Sequence, residues 1–316
     1  MQGNLLVFPT RKEVMDSSPV IPSRYIRSRE ELRRRWVQIL EWDVKNTKIN
    51  LNRLVRRNRT SRQRVVAAQG PIVSLTTHGR RIQTVFLTVE SIAAGSELPS
   101  RLILWLDDEA AYRDLPASLK RLQERGLEVR LSRNYGPHTK YYPFVESTED
   151  FESPLVTADD DTIYPGHWLR GLRRSYVSNP AVVSCYRAHV VKFSDGRLAP
   201  YLTWDRCHSN LPSFRYFATG VSGCLYPPKF LKKLKEAGRR FEQICPKADD
   251  LWLHVNAIRA GYKIKQIHPW QMIYPLLPDT QDIGLLVSNV HGSQNDLQIQ
   301  HTYTQSDVDM LRSESV

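Results

Sequence analysis

From Pro71 onward the spacing of apolar residues changes repeatedly, and each change marks an element. Ile72–Thr76, Leu102–Leu106 and Leu127–Leu131 are short, nearly continuous apolar runs bounded by turn residues, the pattern of buried strands. Between them, Thr84–Ala94 places Val85, Thr88, Val89 and Ile92 on one side of a helix, and Leu115–Arg125 reads as a second helix. Thr139–Glu149 is a weaker helical segment. Leu155–Ala158 is a fourth strand, followed by a helix over Trp168–Tyr176 and a strand over Ala181–Ser184. A small-residue loop, Phe217–Pro227, passes into a further strand, and a helix starts at Asp249-Asp250 with Leu251, Val255 and Ile258 as its apolar face. Strands alternating with helices predict an α/β fold: a Rossmannoid, mostly parallel sheet with helices on both faces. Ligands of such sheets bind at the carboxyl ends of the strands.

The pattern before residue 71 is different. Residues 1–23 are polar and contain proline, and Ser28-Arg29-Glu30-Glu31 has the form of a capping box opening a helix with Leu32, Trp36, Ile39 and Leu40 on one face. The chain has a net charge of +12, and residues 21–65 hold twelve Arg and two Lys against four acids. The excess charge therefore lies in an N-terminal extension. Nucleic acid is not an expected partner, because a nucleic-acid enzyme spreads its basic residues along a groove of the main domain. The arm reads first as a helix docked on the main domain with solvated arginines, and second as a peripheral membrane contact through 24–64. The organisation expected is a basic, partly helical extension over 1–70, a catalytic domain over 71–300 and a C-terminal tail over 301–316. Four scattered cysteines, with no Cys-x-x-Cys pair, and the lack of a long apolar run point to a reducing, cytoplasmic setting. Peripheral contact with the inner face of the membrane is compatible with it.

Composition does not choose among enzymes; the carboxylates do. The fourth strand runs directly into Asp159-Asp160-Asp161, three acids whose mutual repulsion needs a cation or hydrogen-bond donors to offset it. In extended backbone Asp159 and Asp161 point to one side and Asp160 to the other, so two hard oxygen ligands converge where Mg²⁺ or Mn²⁺ could bind with a diphosphate. The plainer reading is an acidic turn that caps a helix near Pro165. The same sheet edge collects Thr76, Thr77-His78-Gly79-Arg80 after the first strand and Asp107-Asp108 after the second. Thr76, His78, Arg80, Asp107, Lys140, Asp159 and Asp160 are the candidates to face a nucleotide, with Lys140 (in Gly136–Pro143) the lysine placed to help hold phosphates. No Gly-x-Gly-x-x-Gly or Gly-x-x-x-x-Gly-Lys-Ser/Thr loop occurs, which removes the ordinary dinucleotide and phosphate-loop readings. Asp249 and Asp250 are either acids placed by the dipole at a helix start or carboxylates that take a proton from a sugar hydroxyl. His291, in a polar stretch read as a flap over 291–296, is a candidate further metal ligand.

These residues together resemble the metal-dependent nucleotide-sugar glycosyltransferases of the GT-A fold, and more narrowly a bacterial group associated with capsule and lipopolysaccharide assembly. The matching stretches are Leu102–Glu109, Gly136–Tyr142, Asp159–Pro165, Thr219–Pro227 and Ala248–Leu253, in order across roughly 71–300. The resemblance implies a nucleotide-sugar donor and a glycan or lipid-linked glycan acceptor. It implies Asp159 near the ribose, Asp161 on a metal bridging the diphosphate, Asp250 as the base of an inverting transfer and Gly220–Gly223 near the acceptor. Asp249 stands where that family usually carries Glu, which leaves the base and the anomeric outcome open. Two other classes compete. One is a sugar-nucleotide pyrophosphorylase-type nucleotidyltransferase, whose basic Gly-rich loop is poorly matched by Ser74–Arg80. The other is a non-catalytic sugar- or membrane-binding protein.

Overall fold

The computed structural model describes residues 51–277 and 294–314. The strand-forming runs assemble into one seven-stranded sheet. Its members are β1 (Ile72–Thr76), β2 (Arg101–Leu106), β3 (Leu127–Leu131), β4 (Leu155–Thr157), β5 (Val182–Cys185), β11 (Cys224–Tyr226) and β12 (Lys263–Gln266). The order is β12-β5-β11-β4-β1-β2-β3, with β11 antiparallel to both neighbours and the others parallel. The expected α/β class and mostly parallel sheet are therefore observed. Three short strands, β6 (Ala188–Val190), β9 (Asp205–Arg206) and β10 (Tyr216–Ala218), form a second, antiparallel sheet, and β7 (Phe193–Ser194) pairs with β8 (Arg197–Leu198).

Side chains alternate across the main sheet as the strand period requires. Leu102, Leu104 and Leu106 enter one apolar layer with Val73, Leu75, Val85, Val89 and Leu119. Ile103 and Trp105 enter the other with Tyr141, Tyr142, Leu155, Trp252 and Val255. The helices that cover these faces are, in chain order, α1 (51–60), α2 (Val85–Ala93), α3 (Glu109–Arg113), α4 (Ala117–Glu124), α5 (Tyr142–Ser147), α6 (Trp168–Ser178), α7 (Pro228–Ala237), α8 (Phe241–Ile244), α9 (Asp249–Arg259), α10 (Gln294–Thr302) and α11 (Gln305–Ser313). None of the described helices is long and apolar enough to cross a membrane.

Several elements differ from their sequence pattern. The weak helical segment at 139–149 splits into a 3-10 turn, Gly136–Lys140, and the short α5, since Pro143 cannot continue a helix already in progress. The helix read over Trp168–Tyr176 starts at Trp168 as expected and runs on to Ser178. In the stretch read as a flap, Gln294 already begins α10, while 291–293, including His291, lie outside the described residues. Beyond residue 300, α11 opens with a full capping box between Thr304 and Asp307 and adds Val308 and Leu311 to the core. The end of the basic arm docks on the domain. From α1, Arg57 and Asn58 reach the buried Glu90, and Leu54 and Val65 are buried. The proposed membrane segment falls largely on 24–50, outside the described residues.

Strands β2 and β3 extend the sheet on one side of β1, and β4 returns on the other side. That reversal between β1 and β4 is a topological switch point, and it opens a crevice at the carboxyl edge. The segments 77–81 and 158–161 both leave the sheet there.

Candidate active site

Lys140 is the centre of this edge. It closes the 3-10 turn Gly136–Lys140, which is tied to the sheet because Ser74 Oγ donates to the Lys140 carbonyl at 2.7 Å. Its ammonium donates to Asp159 Oδ1 at 2.9 Å and lies 3.6 Å from Asp249 Oδ2. Burial alone would lower the lysine pKa, but Asp159, Asp249 and Asp250 outweigh it and hold the group well above its ordinary value. Lys140 is therefore a fixed cation, not a base.

Asp249 and Asp250 occupy the first turn of α9, where the helix dipole favours negative charge. Asp250 Oδ1 accepts from the Gly220 amide at 2.9 Å. Burial and then the adjacent Asp249 push its pKa up to about 8, against the opposing pull of Lys140 and the Gly220 amide. A carboxyl that holds its proton near neutrality and stays partly exposed is suited to general acid–base work. Asp249 is buried, and its Oδ2 accepts no hydrogen bond. One lysine thus faces three carboxylates.

The loop 219–223 closes one side. A Cβ on Gly220 would lie 3.2 Å from both Asp250 Oδ1 and Lys140 Nζ, so glycine keeps that approach open. Ser222 and Gly223 both have left-handed φ, and Gly223 sits so tightly on Trp168 that a Cβ would come within 2.8 Å of the indole. The same indole donates to the Ser222 carbonyl at 2.8 Å. The loop is held, not slack.

The Asp triplet departs from the extended arrangement. Strand β4 ends at Thr157, and Asp160-Asp161 form a turn. Asp160 accepts from Thr77 Oγ1 at 2.6 Å and from Arg81 Nη1 at 2.8 Å, and the same Arg81 nitrogen stands 3.3 Å from Asp161 Oδ2. Asp160 and Asp161 therefore share one arginine, while Asp159 turns to Lys140. Its backbone amide donates to the buried Tyr164 hydroxyl at 2.8 Å. Asp159 and Asp161 are each already answered by a cation. Among the described residues no three acids, histidines or cysteines group as a metal would require. As placed, Asp159 and Asp161 pair with different cations, and His291, the third residue named for a metal, lies outside the described residues.

Other candidates are placed as follows. His78 and Arg80 are exposed on the turn after β1, and Gly79 takes φ +54 there. Thr76 Oγ1 donates to the Trp105 carbonyl at 3.1 Å, so it is committed to the sheet. Asp107 ends β2 partly exposed and is not joined to the Lys140 cluster, whereas Asp108 caps α3 by accepting from Ala111 N at 3.0 Å. His138 is structural. Burial pushes it down to about 4, and it bonds Tyr141 and Cys245 and stacks on Phe241. Sequence reasoning stopped one residue short of Arg81, and nothing in the spacing singled out Arg187, which Thr219 connects to the same loop.

Comparison with known proteins adds little. No family model and no curated protein matches the chain. Among solved structures, the fold is similar to a CMP:2-keto-3-deoxy-manno-octonic acid synthetase complexed with CTP. The identity is 11%, over 62% of this chain and 88% of that one, with a TM-score of 0.36. The expectation of a glycosyltransferase is corrected here: the solved structure that the fold matches is a synthetase complexed with CTP, not a glycosyltransferase. A likeness at that level transfers no residue role, so the chemistry has to be argued from the side chains.

Proposed function

We propose that this chain is an enzyme acting on nucleotides and sugars, a nucleotidyltransferase that joins a nucleotidyl group to a sugar hydroxyl. The observation that carries this reading is the Lys140 ammonium held among Asp159, Asp249 and Asp250 at the switch point. Beside it the exposed turn His78-Gly79-Arg80 supplies basic groups to an incoming triphosphate. In the reaction proposed, the sugar hydroxyl oxygen attacks the α-phosphorus of a nucleoside triphosphate. A P–O bond forms, the bond to pyrophosphate breaks, and Asp250, in the ionised form it takes up as pH rises toward 8, accepts the hydroxyl proton. Lys140 stays charged throughout and holds Asp159 and Asp249 in place beside the reacting groups. Because Asp159 and Asp161 are already paired, no step is assigned to a metal of the protein's own.

The test is pyrophosphate release in the presence of each of the four nucleoside triphosphates and a panel of sugars and acidic sugars, with Mg²⁺ in the buffer. One nucleotide should support release that depends on the sugar, and Asp250→Asn should reduce it by about a hundredfold or more, within the usual range for general bases. Sugar-dependent release that persists undiminished in Asp250→Asn would remove the base. No nucleotide-dependent release with any sugar would remove the reading.

A further inference from the structure

A second charged group lies at the same sheet edge and is left unused by that chemistry. Arg187 lies two residues beyond β5, at the carboxyl edge, on the link into β6. Its carbonyl and its side chain are both joined to Thr219, in the loop that carries Gly220. The Arg187 carbonyl accepts from Thr219 N at 3.1 Å, and Arg187 Nη1 donates to Thr219 Oγ1 at 2.9 Å. The next residue, Gly220, donates to Asp250. Arg187 and the proposed base therefore sit on either side of one dipeptide.

The arginine is not neutralised locally. Its Nε is buried with no hydrogen-bond partner, and among the described residues no carboxylate forms an ion pair with it. Its neighbours do not compensate. Burial lowers its pKa; Tyr201 and then Asp250 act the other way without making up for it, and Arg206 lowers it further. His189, on β6, is pushed down to about 4 by burial and then by Arg187, so it brings no charge of its own at neutral pH. A buried guanidinium N–H without an acceptor costs free energy that a bound anion would recover.

We infer that Arg187 forms an anion subsite for the second substrate: it binds a carboxylate or phosphate on the sugar and so presents a hydroxyl of that sugar to Asp250. The substrate class is an acidic sugar or a sugar phosphate, not a neutral sugar. The planar guanidinium fork suits either anion, and lysine could not reproduce two directed N–H bonds. This inference rests on the reading of Asp250 as the base that faces a sugar hydroxyl.

The test uses the full chain and three probes: glucuronate, glucose 1-phosphate and glucose. Binding is followed by calorimetry and by the Arg187 Nε–Hε signal in ¹H–¹⁵N spectra. Either anionic probe, or both, should bind and move that signal while glucose does not, and which of the two binds separates carboxylate from phosphate. Arg187→Lys should weaken the anionic probe by about tenfold or more, the loss typical of a desolvated charge contact. Thr219→Val, which removes the hydroxyl's bonds to Nη1 and to the Arg187 carbonyl but keeps the guanidinium, should change anion binding less than Arg187→Lys does. Glucose binding as tightly as the anions would overturn the subsite. So would an unchanged Nε–Hε signal, or Thr219→Val matching Arg187→Lys, which would make the arginine a brace for the loop. Nucleoside triphosphate binding, measured on the same samples by thermal shift, separates the two ideas. Anion binding without nucleotide binding leaves the subsite standing and removes the proposed function, and the converse leaves the function and removes the subsite.

Discussion

Two buried charge clusters lie on opposite faces of the sheet region, and they are built on opposite principles. Around Glu90, on α2, one carboxylate with no exposed surface meets Arg125, Arg57 and the amide of Asn58. Asn58 in turn accepts from Arg121, and Arg125 Nε donates to the Gln63 carbonyl at 2.7 Å. Every polar group named has a partner, and the cluster fastens the arm to the domain. Around Lys140 the balance is reversed. One cation serves three acids, Asp249 Oδ2 accepts no hydrogen bond, and Asp250 stays partly exposed with its pKa up near 8. A satisfied cluster holds structure together. An unbalanced one at a sheet edge retains interactions for something else to complete.

If that contrast is right, the two clusters should fail differently. A large stability effect should come from Arg125→Ala, which leaves the fully buried Glu90 with only Arg57 and Asn58. We expect a loss of about 3–5 kcal/mol in denaturant unfolding, as for other broken buried pairs. A loss within the range of a surface pair, below about 1 kcal/mol, would contradict a tight cluster. Lys140→Met should abolish turnover and also destabilise, but the destabilisation should depend on pH. Lys140 holds its proton more tightly in the folded chain, so its contribution is complete below its ordinary value of 10.5 and the gap between variant and wild type should narrow only as pH rises above it. A pH-independent loss would mean that the acids do not rely on the lysine charge. Gly220→Ala should leave stability within about 1 kcal/mol, as is usual for a substitution without burial of charge. Its methyl would crowd Asp250 and Lys140 and should lower turnover by about ten- to a hundredfold, the usual scale of a small misplacement.

One stability effect runs the other way. Asp250 has a folded pKa raised to about 8 from the ordinary carboxylate range, so the folded chain holds a proton that the unfolded chain has released between roughly pH 4 and pH 8. Its contribution to stability is complete below that window and drains away as pH rises through it. Asp250→Asn removes the drain and keeps an acceptor for the Gly220 amide. The variant should melt about 2–4 °C above wild type at pH 8 for each ~1 kcal/mol relieved, with no gain at pH 4. An equal gain at both pH values would sink this explanation.

How much of this was legible in the sequence follows from where each signal resides. Strands β1 and β3 were bounded to the residue, because buried strands are apolar runs with sharp ends. The α9 start at Asp249 was legible for a related reason, since acids are placed at helix starts by the dipole. The crevice was legible too, because alternating elements imply a carboxyl edge. The directions of the side chains within it were not. Asp159 and Asp161 were expected on one side because the strand was carried past Thr157, whereas the chain turns at Asp160 and Arg81 gathers two of the three acids. No spacing announces Arg81, Arg187 or Gly220 as partners, since each pairing joins residues 30 or more apart in the chain.

The most direct single measurement is the titration of the Asp250 side chain by ¹³C NMR of its carboxyl carbon, between pH 4 and pH 10. The account predicts a midpoint near 8, moved downward when Asp249→Asn removes the adjacent negative charge. A midpoint near 4 in the intact protein would show an ordinary ionised carboxylate, and the Lys140 cluster would then be a second structural ion pair and not a site of chemistry.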